Sequence, residues 1–254
     1  MLIEQETKDK YEGRVFETKN DGKLRVIEYR GHLDVIVKFE DTGYVTSVQA
    51  GALITGKIKD HFKPSVRGVG IIGKEQVKID GKHTKEYNLW RAMIDRCYWE
   101  KYQEKYTSYI GCTMSENFKY FPYFKEWCSE QTGFNLPTYQ LDKDLLVKGN
   151  KIYSEDTCVF VPREINNLTI FRKKSRGEYP LGVSWDVKSS KYRSQLQKGD
   201  KRVSLGWFDS PLDAFVVYKE AKEDYIKQKA EFWKGQIDPK VYDALMNFTI
   251  EITD

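Results

Sequence analysis

The spacing of apolar residues changes period twice along this chain, and that limits its fold more than any single motif does. Between about residues 10 and 75, apolar positions alternate or run in short stretches. These are Lys23–Tyr29, Leu33–Phe39 and Tyr44–Val48, separated by Asn20-Asp21-Gly22, Arg30-Gly31 and Thr42-Gly43. A period of two broken by glycine turns is the pattern of short antiparallel strands, so a small β-barrel or twisted sheet is expected.

From about 83 to 170 the period becomes helical. Leu89, Trp90, Met93, Ile94 and Cys97 recur at spacings of three and four and give one apolar face. Phe118, Phe121, Phe124, Trp127 and Cys128 predict another helix, with Pro122 in its first turn. Between Gln140 and Asn167 the order is strand, Gly149-Asn150 turn, a second strand over Thr157–Val161, then a helix opened by Pro162.

The third zone returns to strands. Leu181–Val187, Tyr192–Gln197 and Arg202–Phe208 are separated by Lys188-Ser189-Ser190-Lys191 and Lys198-Gly199-Asp200. Ser210-Pro211 then supplies a helix N-cap and first-position proline, with Asp213 in the first turn. Ala214, Val217, Tyr218, Ala221 and Tyr225 share a face of that helix. The expected class is α+β and multidomain: a β-rich accessory domain over 1–80 and a ββα core with flanking helices over 83–171. A basic linker over 172–177 then leads to a three-stranded antiparallel sheet packed on one helix, with a helical extension, over 178–254.

An apolar fraction of 40% in 254 residues is enough for packed cores, and charges of mixed sign argue against global disorder. No run approaches the ~18 apolar residues that a membrane helix needs. The first residues, MLIEQETKDKYEG, have no apolar segment of a secretory leader, so a cytoplasmic protein is expected. Cys97, Cys112, Cys128 and Cys158 are widely spaced, the pattern of reduced, partly buried thiols. A structural zinc site gathered from several of them is the weaker alternative, because zinc ligands usually come in close pairs.

Charge is concentrated in one place. Between Arg172 and Arg202 ten basic residues face only Glu178, Asp186 and Asp200, a local +7 against +4 for the whole chain. Strand alternation puts Tyr192, Ser194 and Leu196 on one face and Arg193, Gln195 and Gln197 on the other. Arg202 and Ser204 join the second face, and Val203 and Leu205 join the first. Arginine and glutamine pair bidentately with guanine and adenine edges, and a thin β-ribbon fits the major groove. An ordinary solvated face of a small α/β module is the alternative.

The segment LGVSWDVKSSKYRSQLQKGDKRVSLGWFDSPLDAFVVYKEA resembles the apetala-type, ethylene-response-factor DNA-binding domain of plants and its phage relatives. The resemblance rests on Gly182-Val183, the second strand, Leu205-Gly206-x-Phe208 and the helix containing Ala214. It implies double-stranded DNA as partner, with base contacts from Ser184, Arg193, Gln195, Gln197, Arg202 and Ser204. Lys188, Lys191, Lys173 and Lys174 are further candidate DNA contacts. Several arginine positions of the plant pattern hold Leu181, Ser184 and Asp186 here.

Trp90 to Tyr98, a tryptophan-ended helix and LDKDLLVKGNKIYSEDTCVFVPREINNL resemble phage HNH-type homing endonucleases, many of which carry the plant-like module. The resemblance covers about 86–170. It implies metal-dependent cleavage of duplex DNA with Mg²⁺ or another divalent ion, Asp142 and Asn166 as metal ligands, and a general base beside the first ligand. Lys143 stands where that histidine belongs, and Thr157 where the asparagine that orients it belongs. His32, His61 and His83 all lie outside the core. An ammonium has no lone pair with which to take the water proton, although Lys143 can contact a phosphate or neutralise charge in the transition state.

Two functions are therefore open: a phage-type endonuclease with catalytic Asp142, Lys143 and Asn166, or a non-cleaving DNA-binding regulator or inhibitor of a host system. A host protein partner belongs to the second and is not identified by any motif. FEDTGYVTSVQAGALITGKIKD in the first zone resembles an accessory segment of some phage HNH proteins. Lys57, Lys59, Lys63 and Arg67 beside Phe62 either follow a phosphate backbone or form a solvated rim.

Overall fold

The computed structural model describes residues 8–170 and 178–254. The expected linker, with Lys173 and Lys174, lies outside the described residues. The chain is mixed α and β with several small sheets. It divides into two compact units, Met1–Glu126 and Trp127–Asp254, a boundary that falls inside the expected 83–171 core.

In the first unit β1 (Val15–Glu17), β2 (Lys23–Gly31), β3 (Asp34–Phe39) and β4 (Val45–Val48) form an antiparallel meander in chain order. Leu24, Val26, Val35, Val37 and Phe39 are buried because alternate residues of a strand share a face. Helix α1 (Ala50–Thr55) adds Ala50 and Leu53 to the same core. Of the two expected forms, the sheet is the open one: β1 and β4 are its edges.

A ribbon of β5 (Lys78–Ile79) and β6 (Lys82–His83) leads to Thr84, whose hydroxyl accepts from the Tyr87 N–H and starts α2 (Lys85–Tyr98). Its buried face is Tyr87, Trp90, Met93, Ile94 and Cys97. After α3 (Glu100–Lys105) and β7 (Thr113–Met114), the one expected helix is two, α4 (Glu116–Lys119) and α5 (Phe121–Glu130). Ile71 bridges to Tyr120 at the break, donating its N–H to the Lys119 carbonyl and accepting the Phe121 N–H, both at 2.9 Å, and Pro122 adds to it. The proline has no N–H to offer the carbonyl four residues back, Phe118, and that oxygen instead accepts the Trp90 indole N–H at 2.7 Å.

In the second unit β8 (Tyr139–Asp142) pairs antiparallel with β10 (Val159–Pro162), Asp142 opposite Val159, with β9 (Ile152–Tyr153) between them in sequence. Helix α6 (Arg163–Thr169) follows at once. Pro162 ends β10 and caps the helix instead of opening it, because its ψ of 140° is extended. Strands β11 (Val183–Asp186), β12 (Lys191–Lys198) and β13 (Lys201–Phe208) then form the expected antiparallel sheet in chain order. Ser210 accepts from the Leu212 N–H at 3.1 Å and Pro211 opens α7 (Pro211–Trp233). The chain finishes with α8 (Pro239–Met246).

These pieces share one core. Val159, Val161, Ile165 and Leu168 from the hairpin and its helix pack with Leu196, Phe215, Tyr218, Ile226, Val241 and Leu245. Polar ties reinforce it: Tyr139 Oη donates to the Gln236 carbonyl at 2.8 Å, and Glu164 accepts from Trp233 Nε1 at 3.0 Å and Lys229 Nζ at 2.5 Å. The hairpin and the sheet thus share one apolar core. All four cysteines are buried and none is in a disulfide. Among the described residues no helix is long and apolar enough to cross a membrane.

Candidate nucleic-acid interface

The three-stranded sheet has one covered face and one open one. Ser194 and Leu196 of β12 are buried against the α7 side. Directly paired residues share a face, so the register defines the other side. Ser184 pairs with Arg193 and Arg193 with Trp207; Asp186 pairs with Lys191, Gln195 with Ser204 and Gln197 with Arg202. Ser184, Gln197, Arg202, Ser204 and Trp207 are exposed, and Asp186, Lys191, Arg193 and Gln195 are half-buried. The structure therefore gathers Ser184, Lys191, Arg193, Gln195, Gln197, Arg202 and Ser204 on one surface. Lys188 lies in the exposed β11–β12 turn beside them.

Trp207 belongs to this surface although alternation from Val203 and Leu205 puts it on the other. The register slips after Ser194, which faces Gly206, while the next residue, Gln195, faces Ser204. Leu205 is the extra residue of a β-bulge, and one extra residue exchanges the two faces of everything beyond it. Gly206 at φ +134° makes the bulge, and a Cβ there would meet the Phe208 ring at 3.1 Å.

The centre of the surface is held in place. Trp207 Nε1 donates to Asp186 Oδ2 at 2.9 Å, and Asp186 also accepts from Ser189 Oγ at 3.0 Å and the Lys188 N–H at 3.1 Å. The Trp207 hydrogen bond foremost, then those of Ser189 and Lys188, keep the Asp186 carboxyl below its ordinary range. The Arg193 guanidinium carbon lies 5.5 Å from the Trp207 ring centre. With its carboxamide oxygen turned to Arg193, Gln195 accepts from Nε and Nη2, each at 2.6 Å. Gln197 Nε2 donates to the Gly199 carbonyl at 2.7 Å, and Lys191 is 3.3 Å from Asp209. Alternation from Ser184 already puts Asp186 on this face; it misses Trp207, whose only signal is the glycine in Leu205-Gly206-Trp207-Phe208.

The hairpin residues are held by contacts within and beside their own loop. Asp142 Oδ1 accepts from the N–H groups of Asp144 and Leu145, both at 2.7 Å, which closes the turn after β8. Burial raises the Asp142 pKa above the usual carboxylate value, against the pull of those N–H groups. Asn166 Nδ2 donates to Gln140 Oε1 at 2.9 Å. Gln140 and Asp142 are two residues apart on β8 and so share a face, about 7 Å along the strand. Asn166 is thus brought to the side of β8 that carries Asp142, in contact with Gln140. Their remaining oxygens are hard donors of the kind Mg²⁺ takes, and such an ion would polarise a phosphate or a water.

Lys143 is turned into its own loop. It is buried, with Nζ donating to the Asn150 carbonyl at 2.5 Å and to Asp144, over the Tyr153 ring. Thr157, at the position of the orienting asparagine, donates to the Ile152 carbonyl at 2.9 Å and pairs with Ser154. Both side chains bind the loop together. Among the described residues no three His, Cys, Asp or Glu side chains gather as a metal site. Burial pushes the Cys158 thiol up to about 12.

Comparison with known proteins finds no matching family model, no matching curated protein and no matching solved structure.

Proposed function

We propose that this chain binds double-stranded DNA by laying the open face of β11–β13 in the major groove, and that its hairpin core does not cut. One observation carries the first part: a face whose reverse side is packed on α7 presents Arg193, Gln195, Gln197, Arg202 and Ser204 together. Nothing apolar behind them requires that set, and arginine and glutamine are residue types that pair with base edges. The burial of Lys143 supports the second part. Its ammonium is engaged by the Asn150 carbonyl and Asp144. The reading is thus a DNA-binding regulator or inhibitor on a nuclease-like scaffold.

Metal-dependent cleavage is the second reading, favoured by Asn166 lying on the Asp142 side of β8. One experiment separates the two. Labelled random and phage genomic duplexes are incubated with the protein and Mg²⁺ or Mn²⁺, and binding and nicking are read on the same samples. Retarded, intact duplex supports the proposal. Nicks abolished by Asp142→Ala establish the second reading, and no retardation at low salt removes both.

A further inference from the structure

The open face carries one large side chain that base-edge hydrogen bonding does not use. Trp207 is 47% exposed, and its single donor, Nε1, is already given to Asp186 across the sheet. Both oxygens of Asp186 are occupied in turn, by Trp207 and Ser189 on one side and the Lys188 N–H on the other. The indole is therefore oriented and has no polar atom left to offer. What remains is a flat apolar surface beside Arg193, whose guanidinium lies 5.5 Å from the ring.

A fixed apolar plate next to an arginine selects a particular neighbour. Arginine pairs with the O6 and N7 of guanine, and the apolar group that the major groove exposes at a neighbouring step is the C5-methyl of thymine. We propose that Trp207 is a thymine-methyl contact, so that this face selects a guanine read by Arg193 with a thymine at the adjoining step. Asp186 is a positioning residue, acting through the indole and not on DNA: its oxygens face donors of this chain and are not turned to a cytosine amine. The inference rests on the duplex-binding reading above and adds a base step to it.

The test uses the 254-residue chain and duplexes recovered by selection from a random library. Each thymine of the recovered site is replaced in turn by deoxyuridine, which lacks only the methyl group. At one thymine beside the required guanine, wild type should bind the deoxyuridine duplex roughly fourfold more weakly, the worth of one buried methyl group. Trp207→Ala should bind the two duplexes equally while still requiring the guanine. Asp186→Ala should keep the guanine requirement and shrink the methyl discrimination. The wild-type comparison needs no variant to fold. A recovered site without thymine beside guanine, or equal binding of thymine and deoxyuridine duplexes by wild type, overturns the inference and leaves duplex binding standing. Discrimination that survives Trp207→Ala overturns it too. A wild type that binds no duplex at any salt overturns the duplex-binding reading and this one with it.

Discussion

Lys143 and Asn150 hold each other. The Lys143 ammonium donates to the Asn150 carbonyl at 2.5 Å, and the Asn150 carboxamide nitrogen donates back to the Lys143 carbonyl at 2.8 Å. The same carboxamide spans Ile152, donating to its carbonyl at 2.7 Å and accepting its N–H at 3.0 Å. A loop of this kind, closed by a buried cation, is a fold element.

Lys143→Ala should therefore act on stability and leave DNA affinity alone. Removing the ammonium leaves a half-buried carbonyl without its donor, a loss of about 1 kcal/mol. Urea denaturation with matched duplex titrations measures both. A variant as stable as wild type that has lost DNA affinity would make Lys143 a phosphate contact instead. Lys143→His should not create cleavage, since an imidazole in that buried place faces Asn150.

The shared core of the second unit predicts coupled unfolding. Ile226 of α7 is fully buried in the cluster that also holds Val161 and Ile165. Ile226→Ala should cost about 2–5 kcal/mol. Because the hairpin and sheet share that core, amides of β8, β10 and β12 should lose hydrogen-exchange protection by similar amounts. Loss confined to β12 would mean two independent bodies.

The Glu164–Lys229 contact gives a pH signature. Burial opposes the Glu164 charge, but the hydrogen bonds from Lys229 and Trp233 and the Lys229 charge outweigh it, so its pKa falls below 4.5. A depressed carboxylate contributes stability above its unfolded pKa and loses it as pH falls through the folded value. Glu164→Gln should therefore lower the melting temperature near pH 7, and the gap to wild type should close below about pH 4. The pair is partly exposed, so the gap corresponds to less than about 1 kcal/mol. A gap unchanged down to pH 3 would assign the effect to the Trp233 contact.

What the sequence discloses here is what is decided locally. Ser210-Pro211 marks the start of α7 to the residue, because a cap and its proline act within one turn. Arg193, Gln195 and Gln197 fall on the open face because strand alternation holds along β12. Alternation fails at Trp207, where the extra residue at Leu205 exchanges the faces. Pro122 reads correctly as a first-turn residue but conceals the break before it, which depends on Ile71 bridging to Tyr120 and on Trp90 claiming the Phe118 carbonyl. The burial of Lys143 and the union of hairpin and sheet in one core rest on contacts far apart in sequence, with no local signature.

The final prediction separates reading from attraction. Arg193 sits on the open face, with Gln195 accepting from its guanidinium and the Trp207 ring beside it. Arg193→Ala should weaken binding to the selected duplex by about 1–3 kcal/mol and relax the sequence requirement at one position. Lys173 and Lys174 belong to the basic run of the sequence and lie outside the described residues. Lys173→Ala with Lys174→Ala should weaken selected and scrambled duplexes alike and make the salt dependence shallower by roughly two units. Base edges carry sequence information, whereas phosphates carry charge alone, so the two variants should part on the scrambled duplex. Affinities on both duplexes at several salt concentrations give the comparison. If Arg193→Ala weakens both equally, the sheet attracts DNA without reading it; if neither variant binds more weakly than wild type, the open face is not the interface.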